Sequence, residues 1–124
     1  MANLTPTEYE EQQDLVYYLE LRGLKFTAIP NSTYTKSIKQ KQKNYKSGLR
    51  AGFPDIIVLI PKEKSKDKQG YMLCIELKRV KGGQLSEHQK EWIEAINSLE
   101  IPNVQSMCIK GAKAAIEYVE ELLI

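Results

Sequence analysis

The sequence is poor in the residues on which much enzyme chemistry runs. It has one histidine, His88, and two cysteines, Cys74 and Cys108, which sit in separate apolar runs with no partner at metal-ligand spacing. That argues against a zinc site, a histidine-metal nuclease motif and a Ser-His or Cys-His pair, and both cysteines are expected as buried free thiols. No stretch reaches the ~18–20 consecutive apolar residues needed to cross a membrane. Met1-Ala2-Asn3-Leu4-Thr5-Pro6 lacks the charged and apolar regions of a signal peptide, so a cytoplasmic protein with no membrane partner is expected. There is no repeat or low-complexity tract, and 124 residues amount to about one domain, read as spanning 1–124. Chemistry here has to run on carboxylates, lysine and a metal that prefers oxygen.

The most informative absence is local. Between Glu20 and Asp55 there is no acidic residue, whereas Arg22, Lys25, Lys36, Lys39, Lys41, Lys43, Lys46 and Arg50 all fall there, an asymmetry hidden by a net charge of +2. Such a run neutralises phosphates without reading base sequence and gives salt-sensitive binding. Tyr34 and Tyr45, interleaved with the lysines, are placed to stack on exposed bases. The alternative is a solvated loop. The lysines of 62–68 are diluted by Glu63 and Asp67 and read as a solubilising turn.

Thr5-Pro6-Thr7-Glu8 predicts a helix start, with Thr5 as N-cap and Glu8 closing a capping box. The helix should run to about Leu21 and stop near Gly23, with Leu15, Val16 and Leu19 on a core face that extends back through Gln12 and Glu11 to Glu8. Residues 25–29 read as a strand, and the basic segment leaves room for a short helix over 39–47. Ile56-Ile57-Val58-Leu59-Ile60 and Tyr71-Met72-Leu73-Cys74-Ile75-Glu76-Leu77-Lys78 each suit a central strand buried on both faces, antiparallel neighbours across a solvated connection at 61–70. Ser86 opens a helix with Gln89 at the capping-box position and Trp92, Ile93, Ile96 and Leu99 at helical spacing. A last strand at 104–109 and an amphipathic helix after Gly111 complete a mixed α/β order of helix, three strands, helix, strand, helix.

Side chains two apart on a strand share a face, so Glu76 and Lys78 project together with the Leu77 carbonyl between them. If the two central strands pair antiparallel, the start of one lies beside the end of the other, which brings Asp55 to Glu76. Two carboxylates and a carbonyl make the hard-oxygen environment that Mg2+ prefers. Glu-x-Lys alone is a common accident. Its position after an apolar strand, and after Gly52-Phe53-Pro54-Asp55, is not.

Glu11-Gln12 in a first helix, Ile29-Pro30-Asn31 before a basic segment, Gly52-Phe53-Pro54-Asp55, Glu76-Leu77-Lys78, Gly82-Gly83, and Leu85-Ser86 followed by Gln89 and Trp92 together resemble the VRR-NUC branch of the PD-(D/E)XK nuclease superfamily, in particular its compact, stand-alone phage-type members. The resemblance covers nearly the whole chain. It implies a restriction-endonuclease-like αβββαβ core, here with an additional C-terminal helix. It also implies Mg2+-dependent hydrolysis of DNA phosphodiesters, with Mn2+ expected to substitute. In that scheme Asp55, Glu76 and the Leu77 carbonyl hold the metal, and Lys78 lies beside the attacking water. Lys78 suits orientation and charge stabilisation better than general-base work, because neighbouring carboxylates raise a lysine pKa.

The family carries a glutamate on its first helix. Glu11 is the favoured match, directly or through water, because Glu8 already has a capping role; Glu8 is the alternative. Gln89 matches an active-site glutamine, although its capping box is explanation enough. The implied substrate is branched DNA, with Holliday-junction resolution by a homodimer in a host-cell cytoplasm as the fullest form. A restriction or nicking nuclease of the same fold, and a non-catalytic nucleic-acid-binding module, are the competing readings.

Overall fold

The computed structural model describes residues 5–30 and 36–124; Tyr34, one of the expected DNA contacts, lies outside them. The first helix, α1, is Glu8–Leu21, and its N-cap is Thr7 rather than Thr5. The Thr7 hydroxyl accepts from the Glu10 N–H (3.1 Å) and the Glu10 carboxylate accepts from the Thr7 N–H (3.0 Å). Two Thr-x-x-Glu boxes overlap in this stretch, and a contact from elsewhere selects the second. Arg79 donates to the Pro6 carbonyl (3.2 Å) and the Thr5 carbonyl (3.5 Å), the acceptors that a helix begun at Thr5 would need for its own ladder. Glu8 is thereby released from capping.

Four strands form one sheet in the order β1 (Lys25–Ala28), β2 (Ile56–Ile60), β3 (Tyr71–Lys78) and β4 (Val104–Lys110). The pairs β1/β2 and β2/β3 are antiparallel, and β3/β4 is parallel. A parallel step needs a long crossover, which helix α3 (Glu87–Asn97) supplies from its Ser86–Gln89 capping box. A short basic helix, α2 (Ile38–Lys46), lies between β1 and β2, and α4 (Ala112–Leu122) closes the chain.

Alternation sorts the strand residues. Ile56, Val58 and Ile60 of β2 and Leu73, Ile75 and Leu77 of β3 join Leu15 and Leu19 of α1 and Ala115 and Val119 of α4 in a fully buried cluster. The other face is covered less completely. Leu59 is 42 % exposed and Leu99 61 % exposed, so β2 is not buried on both faces as its composition suggested, and Leu99 is not a core residue. The connection at 61–70 is also more structured than a solvated turn: Ser65 is buried and bridges Leu123, and Lys66 N–H donates to Leu122 O (2.9 Å). Cys74 is buried, Cys108 half-buried, and both are free thiols.

Two close approaches fix the turn before β2. Gly52 has φ +97°, and a Cβ there would lie 2.6 Å from the His88 carbonyl carbon on α3. The Trp92 indole N–H donates to the Ala51 carbonyl (2.9 Å), and its ring meets Phe53 edge-on with centroids 5.1 Å apart. The glycine turn is thus pressed on the first turns of α3, which carry Gln89.

Candidate active site

The β2/β3 register pairs Ile56 with Ile75, so the next step beyond the ladder sets Asp55 opposite Glu76. Asp55 Oδ2 accepts the Leu77 N–H (3.0 Å), fixing this carboxylate on the β3 backbone. The N–H and C=O of one strand residue project to the same edge, so the Leu77 carbonyl is turned to the side on which Asp55 lies.

One carboxylate oxygen from each of Glu8, Asp55 and Glu76 lies within 4.8 Å of the others. Glu76 is 1 % exposed; its Oε2 accepts from Gln89 Nε2 (3.3 Å), and its Oε1 is buried without a partner. The buried Lys78 ammonium stands 3.7 Å from Glu76 Oε2 and 3.8 Å from Glu8 Oε1. Burial above all, then the neighbouring Asp55 carboxylate, push the Glu76 carboxyl up to about 9 against the opposing pull of Lys78. Without a cation, the pocket therefore keeps a proton where three carboxylates converge.

Those observations fit a small divalent cation. Mg2+ takes oxygen ligands and commonly one or two carboxylates, and a buried orphan carboxylate oxygen is the kind of donor that a cation would satisfy. The residues able to hold it are Asp55, Glu76, Glu8 and the Leu77 carbonyl. Among the described residues, no other His, Cys, Asp or Glu group has this convergence.

Glu11, expected here directly or through water, lies outside this cluster, and its Oε2, like Glu76 Oε1, is buried with no hydrogen-bond partner among the described residues. Although buried, its Oε1 accepts the N–H of Ala112, the first residue of α4 (3.1 Å). Gly111, the N-cap of α4, has no side chain to cap with, and Glu11 fills that role from another helix. The Gly111 N–H in turn donates to the Lys78 carbonyl (2.9 Å), so this turn ties α1 to the end of β3. Gln89 serves both expected ends: its Oε1 accepts the Ser86 N–H (2.9 Å) while its Nε2 reaches Glu76.

Arg79 was not singled out by the sequence, yet it grips the lead into α1 and so places Glu8. Its only signal is its position directly after the Glu-x-Lys motif. Of the expected DNA contacts, Lys39, Lys41, Lys43 and Lys46 are exposed on α2, with Lys36 just before it and Arg50 just after. The Tyr45 ring is 63 % exposed and carries the Arg50 guanidinium 3.7 Å above its centre.

A mixed sheet flanked by helices, with an acidic cluster and a buried lysine at the adjoining ends of its two central strands, defines a nuclease-type fold of the restriction-endonuclease kind. The VRR-NUC domain family matches residues 6–109, and the chain belongs to that family. A solved structure described as a VRR_NUC domain protein is 26 % identical, with a TM-score of 0.64 over 95 % of this chain and 88 % of that one. Among curated proteins there is no significant match. No helix among the described residues is long and apolar enough to cross a membrane.

Proposed function

We propose that residues 1–124 act as one Mg2+-dependent endodeoxyribonuclease domain that hydrolyses phosphodiester bonds in branched DNA, four-way junctions included. The observation that carries this reading is the convergence of Glu8, Asp55 and Glu76 within 4.8 Å around the buried Lys78. When bound, a divalent cation supplies Lewis acidity toward the phosphoryl oxygens and makes water more acidic.

The chain's own residues do the rest. Asp55 is held by the Leu77 N–H and Glu76 by Gln89, so both carboxylates are set in place before substrate arrives. Lys78, 3.7 Å from Glu76 and 3.8 Å from Glu8, is placed to stabilise negative charge that develops on the phosphate and to orient the attacking water. The α2 lysines have no acidic neighbour on their helix; like charges at i, i+4 such as Lys39 and Lys43 disfavour it slightly until an anion neutralises them. A phosphate backbone is the anion expected. Two symmetric cuts need two sites, which supports a homodimer on junctions.

The test is cleavage of labelled four-way junction, flap and linear duplex DNA with Mg2+, Mn2+ or EDTA. Metal-dependent cleavage favouring branched substrates is expected, with Lys78→Ala lowering kcat by about 10²–10³, the scale seen when one transition-state charge contact is removed. A folded protein that binds these substrates but cuts none with either metal would be a binding module. Cleavage of linear duplex alone would select a restriction-type nuclease.

A further inference from the structure

Where the turn before β2 meets the first turns of α3, two adjoining clefts of about 340 and 290 Å³ share Arg50, Ala51 and His88 as a common wall. The larger is completed by Trp92, Glu91 and Ala95 of α3. Tyr45 and Lys41 of α2 line the smaller. The acidic cluster contributes nothing to this lining, whose Lys41, Tyr45 and Arg50 belong to the basic stretch expected to meet DNA.

Its walls are held in place before any ligand arrives. Arg50 Nη1 donates to the Tyr45 carbonyl (2.9 Å) and the Leu49 carbonyl (3.0 Å), and its guanidinium lies on the Tyr45 ring. Both Nη1 hydrogens are thereby engaged, and the donors at Nε and Nη2 have no partner among the described residues. Trp92 is locked by its indole N–H on Ala51 and by Phe53. Aromatic and cationic groups fixed in advance lose little freedom on binding.

The chemistry of the lining selects its occupant. Trp92 and His88 offer flat surfaces to a ring, Arg50 and Lys41 offer charge to a phosphate, and the Glu91 carboxylate accepts from the amino or imino N–H of a base edge. A base stacked and paired in a duplex has neither its faces nor that edge free. We propose that this cleft receives an unpaired nucleotide next to the scissile bond, with the base between Trp92, His88 and Arg50 and its phosphate on Arg50. The identity of the ligand as DNA rests on the nuclease reading. His88 adjoins Gln89 on α3, so an occupied cleft sits one residue from a side chain bonded to Glu76. The enzyme would thus prefer DNA with an unpaired base at the cut site.

Trp92 is the sole tryptophan, so its fluorescence reports this cleft and no other. Glu76→Gln protein in EDTA is titrated with a short single-stranded oligonucleotide, a hairpin duplex of equal phosphate count, and inorganic phosphate. Saturable quenching by the single strand is expected, with a response to duplex several-fold weaker and none to phosphate. Arg50→Ala and His88→Ala should each weaken single-strand binding about tenfold, the effect of losing one charge-assisted or stacking contact. Equal quenching by duplex, quenching by phosphate alone, or single-strand quenching unchanged in both variants would overturn the proposal. A protein that cuts junctions without any Trp92 response would lose the cleft and keep the nuclease; a Trp92 response in a chain that never cuts would do the reverse.

Discussion

Glu76 is where stability and the proposed metal chemistry oppose each other, and Glu76→Gln measures by how much. In the metal-free pocket its carboxyl titrates near 9, far above the ordinary 4.5, because it is buried and shares the pocket with Asp55. A carboxyl with a raised folded-state pKa contributes stability that is complete below 4.5 and is lost as pH rises toward 9. At pH 7.5, three pH units above the ordinary value, keeping that proton costs about 4 kcal/mol at ~1.36 kcal/mol per unit. Glutamine has the same shape with no proton to keep, and its amide can still face Asp55. Metal-free Glu76→Gln protein should therefore be more stable than the unsubstituted chain at pH 7.5 by up to about 4 kcal/mol, or roughly 10–15 °C in Tm for a domain of this size. The gap should vanish near pH 4.5 and widen toward pH 9. Mg2+ should close it from the other side, because a cation replaces the proton and stabilises only the chain that keeps Glu76. Thermal denaturation at pH 5, 7.5 and 9, in EDTA and in Mg2+, reads each of these. Equal or lower stability of Glu76→Gln in EDTA at pH 7.5, or a gap independent of pH, would refute the reasoning.

Three further substitutions test the parts that hold the site. Glu11→Ala leaves the Ala112 N–H uncapped in a buried place and should cost about 1–3 kcal/mol by denaturant unfolding, whereas Glu11→Gln still offers an acceptor and should recover most of it; loss of Mg2+ affinity in a stable Glu11→Gln protein would instead restore Glu11 as a ligand. Gly52→Ala forces a Cβ to 2.6 Å from the His88 backbone at a positive φ, and should cost about 3 kcal/mol or more while lowering kcat through displacement of Gln89. Asn97→Ala removes a carboxamide whose Oδ1 accepts the Ser106 N–H and whose Nδ2 donates to the Ser106 carbonyl, both at 2.9 Å, on the outer edge of β4; it should cost about 1–3 kcal/mol and expose a strand edge that promotes aggregation, visible as light scattering on heating.

What could be read from the sequence divides along local and distant causes. The antiparallel meeting of Asp55 with Glu76 followed from two apolar runs and the turn before the first, because strand pairing converts spacing into contact. The Ser86–Gln89 cap followed from four residues. The start of α1 did not, since two capping boxes of equal quality overlap by two residues and the choice is made by Arg79, more than seventy positions away. That small shift decides which glutamate reaches the pocket. The open face of β2 was likewise invisible: Leu59 has the composition of a core residue, yet it is left 42 % exposed while α3 packs on β4.

The three carboxylates are not equivalent, and the difference has a structural cause. Where the β2/β3 ladder ends, Asp55 takes the Leu77 N–H in place of a β2 carbonyl, and Glu76 is enclosed by strand and helix. Both carboxylates are therefore set by the sheet and are fixed once it forms. Glu8 has its side chain 51 % exposed and stands 3.8 Å from the Lys78 ammonium. Its position depends on α1, which Arg79 holds before the first turn and Glu11 holds one turn further in. The sheet half of the pocket is rigid, the helix half is held by tertiary clamps, and the buried Lys78 spans the two. A cation entering this pocket would complete the link between the halves, so metal binding should order α1 as well as charge the site.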